Sequence, residues 1–268
     1  MTEIYRGVDS FLAQTSRKTI HFCVSNAGNA VMAANLACSA KIAGIPLTHF
    51  SLDSRGIELV LPFCDIVDIS EEKARFNLCG SGTAAQVDFG TAAFASVAWQ
   101  RYAIINTLLE NRRNAIYLDT DIAINSNYEK EILSILGETD CDILAQANHA
   151  NKPCTGFLAI PDRSQKLFSK IYNHQNIAAH GYIHGYKNLG DASDQSFFHE
   201  VVYPGNKESG PAAETQLLAK DSYPNGQWFY DQHEATKDTA RLIHFNCIIG
   251  QEAKIARMKL HGKWLIGE

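Results

Sequence analysis

The sequence predicts an α/β fold, with a mixed and mainly parallel sheet flanked by helices in a single domain. Two strand-like segments, 19–24 and 47–53, enclose an alanine-rich segment, 30–43, that has helical composition and stops before Gly44. A strand, a helix and a strand in this order form a parallel βαβ unit. A third apolar run, 115–118, leads directly into two acidic residues and adds another buried strand.

The other elements are predicted from apolar periodicity and from the residues that interrupt it. Residues 91–110 repeat apolar side chains at helical spacing, with Arg101 as the one charge inside the stripe. This arginine either covers the rim of the helix with its stem or aims its charge at a site. Segments 71–90 and 172–189 are predicted as loops on the ligand face. Further strands are expected at 66–69, 141–146, 155–160, 228–230 and 242–245, and further helices at 128–136, 162–171, 193–201 and 251–260.

Composition is that of an ordinary globular protein. Of the 268 residues, 46% are hydrophobic and 20% are charged, so a large core is expected. The formal net charge of -5 argues against a general nucleic-acid binder, because such proteins are usually basic. The N-terminus lacks the pattern of a signal peptide, and no apolar run is long enough to span a bilayer.

The cysteines and histidines do not indicate a zinc site. The seven cysteines are scattered and form no Cys-x-x-Cys pair, which favours reduced thiols in a cytoplasmic protein. His174, His180 and His184 cluster in the sequence, but their spacing is irregular for one helix face and no fourth ligand is evident.

Two carboxylates, Asp119 and Asp121, interrupt the apolar run that begins at residue 115. An unpaired buried charge is costly, so these acids are expected at the carboxyl end of the strand, where open α/β sheets bind ligands. Hard cations such as Mg²⁺ and Mn²⁺ prefer oxygen ligands and share their coordination shell with substrate phosphates. The pair therefore predicts a metal-bridged nucleotide site.

Six motifs follow one another along the chain. They are Val24-Ser25-Asn26 with Asn35, Tyr117-Leu118-Asp119-Thr120-Asp121, Thr155-Gly156-Phe157, Ser193-Asp194-Gln195, Tyr223-Pro224-Asn225-Gly226, and His244-Phe245-Asn246 with Gly250 and Lys254. In this order the chain resembles the nucleotide-diphospho-sugar transferases of the GT-A fold, which include plant cell-wall xylosyl- and arabinosyltransferases. Cys154 replaces the family's Asn, and Arg101 stands where many relatives carry Lys, which keeps the charge but changes its shape.

The resemblance implies a role for each candidate residue. Mn²⁺ or Mg²⁺ would be held by Asp121 and His244, with Asp119 in contact with the ion or with the ribose hydroxyls. Asp194 and Gln195 would face the donor sugar as the catalytic pair. The nucleotide-diphosphate sugar would be bound by Val24, Ser25, Asn26, Asp53, Arg101, Asp119, Thr120, Gly250 and Lys254.

Several residues keep a second interpretation. The Ser193-Asp194-Gln195 motif could cap its helix while also serving the sugar. His244 could be a core histidine, although Gly250 and Lys254 nearby favour the metal role. Tyr182 and Tyr186 either line the acceptor cleft or form a small aromatic cluster.

The resemblance implies a metal-dependent transferase, with a uridine diphosphate donor and retention at the anomeric carbon. Residues 19–125 would form the nucleotide-binding half and residues 126–268 the acceptor-side half of one domain, 1–268. The acceptor would be a glycan, glycolipid or glycoprotein, with room for a peripheral membrane contact and no nucleic-acid partner.

Two other functions are weighed against the transferase. One is a protein that binds nucleotide sugars without transferring them, which the intact Asp121, His244 and Lys254 argue against. The other is an aspartyl-phosphate phosphatase, whose Asp-x-Asp usually lies near the N-terminus and is followed by Gly-Thr. Ile122 and Ala123 do not supply that sequence.

Overall fold

The computed structural model describes residues 2–72, 92–148, 150–173, 194–203, 212–231 and 234–267. The strands in these ranges are β1 (Ile4–Arg6), β2 (Thr19–Ser25), β3 (Leu47–Ser51), β4 (Asp65–Asp68), β5 (Asn114–Leu118), β6 (Ile122–Ile124), β7 (Ile143–Ala147), β8 (Pro153–Ile160), β9 (Thr215–Leu217) and β10 (Leu242–His244). The helices are α1 (Val8–Gln14), α2 (Ala30–Ala43), α3 (Ile57–Val60), α4 (Ala92–Glu110), α5 (Glu129–Glu138), α6 (165–173), α7 (Asp194–Phe197), α8 (Gly226–Tyr230) and α9 (Gln251–Leu260).

The described strands form an eight-stranded sheet in the order β1-β4-β3-β2-β5-β8-β7-β9. From β1 to β5 every neighbouring pair is parallel, and β9 is parallel to β7. Within this sheet, β8 runs antiparallel to both of its neighbours, β5 and β7. The predicted mixed and mainly parallel sheet is confirmed, and β2, α2 and β3 form the expected parallel unit.

Successive side chains of each strand point to opposite faces of the sheet, so the apolar core is divided between the two faces. In β5, Tyr117 packs in one apolar cluster, while Ile116 and Leu118 pack in the other. Helices α1, α4 and α6 cover the first face, and α2, α3 and α5 cover the second. Helix α2 is rich in alanine, and Gly44 in the left-handed region (φ 71°) ends it as the sequence predicts.

A third cluster attaches the last part of the chain. Strand β6 leaves the main sheet and pairs antiparallel with β10. Ile243 of β10, Phe229 of α8 and Met258 of α9 pack together in this cluster. The side chain of Asn35 in α2 donates to Lys263 O at 3.0 Å and accepts from Leu265 N at 2.7 Å, which fastens the C-terminal segment. These contacts hold α9 against β10 and α2.

One expected strand is a helix. The aromatic composition of residues 228–230 predicts a strand, but the chain forms α8 there. The side chain of Asn225 accepts a hydrogen bond from Trp228 N at 3.1 Å and caps the helix. A local cap therefore overrides the β preference of the aromatic residues.

Two further predictions concern the loops on the ligand face and the absence of a membrane-spanning segment. The loops predicted at 71–90 and 172–189 lie almost wholly outside the described residues. Among the helices that are described, none combines the length and the hydropathy needed to cross a bilayer.

We expect the free energy of unfolding to fall in acid because of His49 in β3. Its side chain is 1% exposed, and burial lowers its pKa from 6.5 to about 4. The unfolded chain therefore binds the proton first, so stability is complete above pH 6.5 and is lost as the pH falls towards 4. Between pH 6.5 and 5 the loss should be about 2 kcal/mol. Urea titrations of the natural chain and of His49→Gln measure it, and parallel losses in the two proteins would contradict it.

Candidate functional site

Two carboxylates stand at the end of β5, where the main sheet opens. Asp119 follows the strand, and its backbone N–H donates to Gly156 O of β8 at 2.8 Å. The hydroxyl of Tyr117 donates to Asp119 Oδ1. Asp121 lies one residue further on and is 6% exposed. The expected position at the carboxyl end of the strand is thus observed.

His244 reaches these acids through the pairing of β6 with β10. His244 is opposite Ile122, which places its ring beside Asp121. Its Nε2 lies 3.0 Å from Asp121 Oδ1 and 3.5 Å from Asp119 Oδ2. One ligand atom from each of the three residues lies within 4.8 Å of the others.

The donor set fits a divalent cation. His244 Nε2 is buried and has no hydrogen-bond partner, although it faces two carboxylates. A Cβ atom at Gly156 would lie 2.0 Å from His244 Cε1 and 2.8 Å from Asp119 Oδ2, so only glycine leaves room for this approach. Two carboxylate oxygens and one imidazole nitrogen suit Mn²⁺, which accepts both oxygen and nitrogen ligands.

Lys254 supplies one compensating charge. Its Nζ lies 2.5 Å from Asp121 Oδ2, whereas His244 contacts the other oxygen of this carboxylate. Burial alone would raise the pKa of Asp121, but the charges of Lys254 and His244 outweigh it and hold the pKa well below its usual range. Burial lowers the pKa of His244, and the charge of Asp121 more than reverses this and raises the pKa well above 6.5.

Arg101 supplies a second charge from α4. Its side chain is buried, with Nη1 at 3.2 Å from Asp119 Oδ1 and 3.4 Å from Asp194 Oδ2. It also donates to Thr155 O at 2.9 Å and stacks over the ring of Tyr117, 4.4 Å from the centroid. The guanidinium is therefore buried against Asp119 and Asp194 and does not lie at the rim of the helix.

Asp194 and Gln195 open helix α7 beside β8. Burial raises the pKa of Asp194 despite the charge of Arg101, and Asp194 Oδ2 has no hydrogen-bond partner. The amide of Gln195 donates to Pro153 O at 2.6 Å and accepts from Thr155 N at 2.9 Å. Gln195 thus binds the backbone of β8 instead of pointing into open space.

The residues predicted to bind the nucleotide lie at the ends of β2 and β3. Val24 and Ser25 end β2, Asn26 follows, and all three are buried. Ser25 Oγ lies 2.8 Å from His49 Nε2. Asp53, two residues beyond β3, accepts hydrogen bonds from the guanidinium of Arg55. Because β2 lies between β3 and β5, these residues share the sheet edge that carries Asp119.

The remaining predicted site residues lie in a turn, before a helix or outside the described residues. Thr120 lies in the turn that joins β5 to β6. Gly250 is exposed and directly precedes α9. Tyr182, Tyr186 and the three histidines at 174, 180 and 184 lie outside the described residues, as does Ser193.

Sequence reasoning overlooked two contacts of His244. Gln146 Oε1 lies 2.9 Å from His244 Nδ1, and Cys154 Sγ lies 3.7 Å from the same atom. The sequence does indicate a buried partner for Gln146, because an amide in the otherwise apolar strand β7 needs a hydrogen bond. Its partner could not be identified, since 98 residues separate it from His244.

Comparison with known proteins supplies a family. A sequence model of the nucleotide-diphospho-sugar transferases matches residues 71–258. No curated protein matches the chain by sequence.

Solved structures share the fold. The bifunctional glycosyltransferase WbbM in its apo form has a TM-score of 0.55 at 9% identity, and the match covers 91% of this chain and 50% of that one. The chain therefore spans half the length of WbbM. Mouse xyloside xylosyltransferase 1 in its apo form has a TM-score of 0.51 at 13% identity, covering 85% and 98% of the two chains. The galactosyltransferase LgtC, in complex with donor and acceptor sugar analogues, gives 0.51 at 11%, covering 93% and 98%. The expected GT-A fold is confirmed.

We expect Gly156→Ala to destroy the cation site, because the added Cβ would collide with His244 and Asp119. Overpacking of this kind costs about 1–3 kcal/mol of stability. Gly137→Ala is the control, because nothing lies within 4 Å of its added Cβ, and its helical position should gain up to about 1 kcal/mol. Thermal unfolding and Mn²⁺ binding, followed by the electron paramagnetic resonance of the free ion, measure both effects. Unchanged Mn²⁺ binding by Gly156→Ala would contradict the expectation.

Proposed function

The chain belongs to the family of nucleotide-diphospho-sugar transferases, and from this premise we propose that it is a metal-dependent, retaining glycosyltransferase with a uridine diphosphate donor. Membership of the family makes the enzyme a glycosyltransferase and excludes the phosphatase alternative. The observation that carries the metal-dependent part of the proposal is the cluster of Asp119, Asp121 and His244, whose ligand atoms lie within 4.8 Å of one another.

Asp121 and His244 would hold the cation, Mn²⁺ or Mg²⁺, with Asp119 as a third ligand or as the partner of the ribose hydroxyls. When bound, the ion would supply positive charge against the diphosphate that leaves with the nucleotide. The position of His244 Nε2, which faces both carboxylates without a hydrogen bond, and the space left by Gly156 support this assignment.

Lys254 and Gly250 would serve the diphosphate from α9. Lys254 lies in the first turn of this helix and contacts Asp121. Its ammonium could turn from that carboxylate to the diphosphate and act as a point charge on it. Gly250 precedes the helix, where unpaired backbone N–H groups favour an anion. The exposure of Gly250 supports such an approach.

Asp194 and Arg101 would serve the sugar. Asp194 Oδ2 pairs with Arg101 Nη1 at 3.4 Å but accepts no hydrogen bond, so a sugar hydroxyl could donate to it. Arg101 lies between Asp119 and Asp194 and offsets both charges. Gln195 would have to release the backbone of β8 before its amide could lie beside the anomeric carbon. We therefore assign the first contact with the sugar to Asp194.

The base and ribose would lie over the ends of β2 and β3, against Val24, Ser25, Asn26 and Asp53, with Thr120 near the metal. Residues 19–125 would then form the nucleotide half, and residues 126–268 the acceptor side of one domain. His244, Lys254 and Asp194 come from the second half and complete a site begun by the first.

Enzymes that transfer different sugars share this fold. The similar structures include a xylosyltransferase and a galactosyltransferase, so the shared fold does not select one sugar. We propose a glycan, glycolipid or glycoprotein acceptor and a cytoplasmic setting. The reduced cysteines among the described residues support that setting.

We expect Asp121→Asn to reduce release of uridine diphosphate by at least about a hundredfold, or about 2.7 kcal/mol of activation free energy. The amide keeps the shape of the side chain but cannot supply a carboxylate to the cation. A panel of uridine diphosphate sugars with Mn²⁺ measures slow hydrolysis without an acceptor and identifies the sugar. Asp162→Asn is the control, since Asp162 pairs with Lys18 away from the site. Full activity of Asp121→Asn would refute the metal assignment.

Lys254→Met should change two affinities in opposite directions. Without nucleotide, Mn²⁺ should bind more tightly, because Asp121 Oδ2 no longer pairs with the ammonium. With Mn²⁺ present, uridine diphosphate should bind about tenfold more weakly, since a charge-assisted contact is lost. Isothermal titration with each ligand measures both affinities. If both change in the same direction, Lys254 does not exchange one partner for the other.

A further inference from the structure

Gln146 is a buried amide in an apolar strand. It lies in β7, where every residue is buried, and it is 0% exposed. The register between β7 and β8 shifts between Ala145 and Gln146. Irregularities of this kind re-aim side chains beside functional sites. Here the amide is directed at His244, with Oε1 at 2.9 Å from Nδ1.

The orientation of this amide is determined by two backbone carbonyls. Gln146 Nε2 lies 3.0 Å from Tyr223 O and 2.9 Å from Pro224 O. Carbonyl oxygens only accept, so the NH₂ group must face them, and Oε1 must face the histidine. The reversed orientation would place three oxygen atoms together and leave both carbonyls without this donor.

This orientation determines which nitrogen of His244 carries the proton. Because Gln146 Oε1 can only accept, Nδ1 must donate to it. Cys154 Sγ also approaches Nδ1, but at 3.7 Å and as a weaker partner. A metal ligand must be a neutral imidazole, and with the proton on Nδ1 its lone pair is on Nε2, the atom that faces Asp119 and Asp121.

We propose that Gln146 is a positioning residue, which selects the tautomer and the ring orientation that make His244 Nε2 a metal ligand. Such outer partners orient metal-binding histidines and raise their basicity. The inference rests on the proposed metal-dependent function and adds to it a residue that does not touch the cation.

Two substitutions separate positioning from structural support. Gln146→Met and Gln146→Glu both remove the amide donors to Tyr223 O and Pro224 O, and Gln146→Glu also places an oxygen against these carbonyls, so better structural support could not explain a higher affinity in Gln146→Glu. Only Gln146→Glu keeps an oxygen that can accept from His244 Nδ1. We expect Gln146→Met to weaken Mn²⁺ binding roughly tenfold to a hundredfold, and Gln146→Glu to retain most of the affinity. Electron paramagnetic resonance of free Mn²⁺ and thermal unfolding are measured for both variants.

The outcomes are distinct. Natural affinity in Gln146→Met, or equal losses in the two variants, would overturn the positioning role alone. Absence of Mn²⁺ binding by the natural chain would overturn this inference together with the metal site. A measurement on the natural chain does not depend on variant folding. With Zn²⁺ as a diamagnetic probe, ¹⁵N–¹H spectra should place the ring proton of His244 on Nδ1, and a proton on Nε2 would overturn the inference.

Discussion

The structure depends on compensating a partly buried and a buried carboxylate, Asp119 and Asp121, at the end of β5. Asp119 and Asp121 follow a strand in the middle of the sheet, and burial opposes the charge of both. An isolated buried charge is costly, so partners must come from elsewhere in the fold. Arg101 arrives from α4 on one side, and Lys254 arrives from α9 on the other. His244 lies between the two acids and completes a site that attracts a cation.

This electrostatic requirement accounts for the arrangement of β6, β10, α8 and α9, which brings His244 and Lys254 to the two acids. Strand β6 leaves the main sheet directly after Asp121 and pairs with β10, which brings His244 to the acids. The apolar cluster of α8, β10 and α9 then holds Lys254 in reach of Asp121. Gly156 completes the arrangement, because any larger residue on β8 would occupy the space of the histidine ring. Hydrophobic packing thus determines where His244 and Lys254 lie, and their charge interactions with the two acids form the candidate cation site.

Most elements could be predicted because their causes are local. The limits of α2 and α9 were predicted correctly, since alanine-rich or amphipathic segments end at a glycine that adopts positive φ. Strand β5 was predicted from an apolar run that ends in carboxylates. The prediction of a strand at 228–230 was wrong. The composition favoured a strand, whereas the side chain of Asn225 caps a helix there. The motif order identified the family and the fold, both of which comparison confirmed.

The sequence by itself determined the order of elements, the edge that carries the acids and the identity of the candidate ligands. It could do so because residue type and spacing act over a few positions. Only the tertiary structure decided which partners those ligands have. Arg101 meets Asp194 as well as Asp119, the amide of Gln195 is occupied by β8, and Gln146 orients His244. Such contacts join residues far apart in the chain, and they depend on sheet register and on one irregularity in β7 that no local pattern specifies.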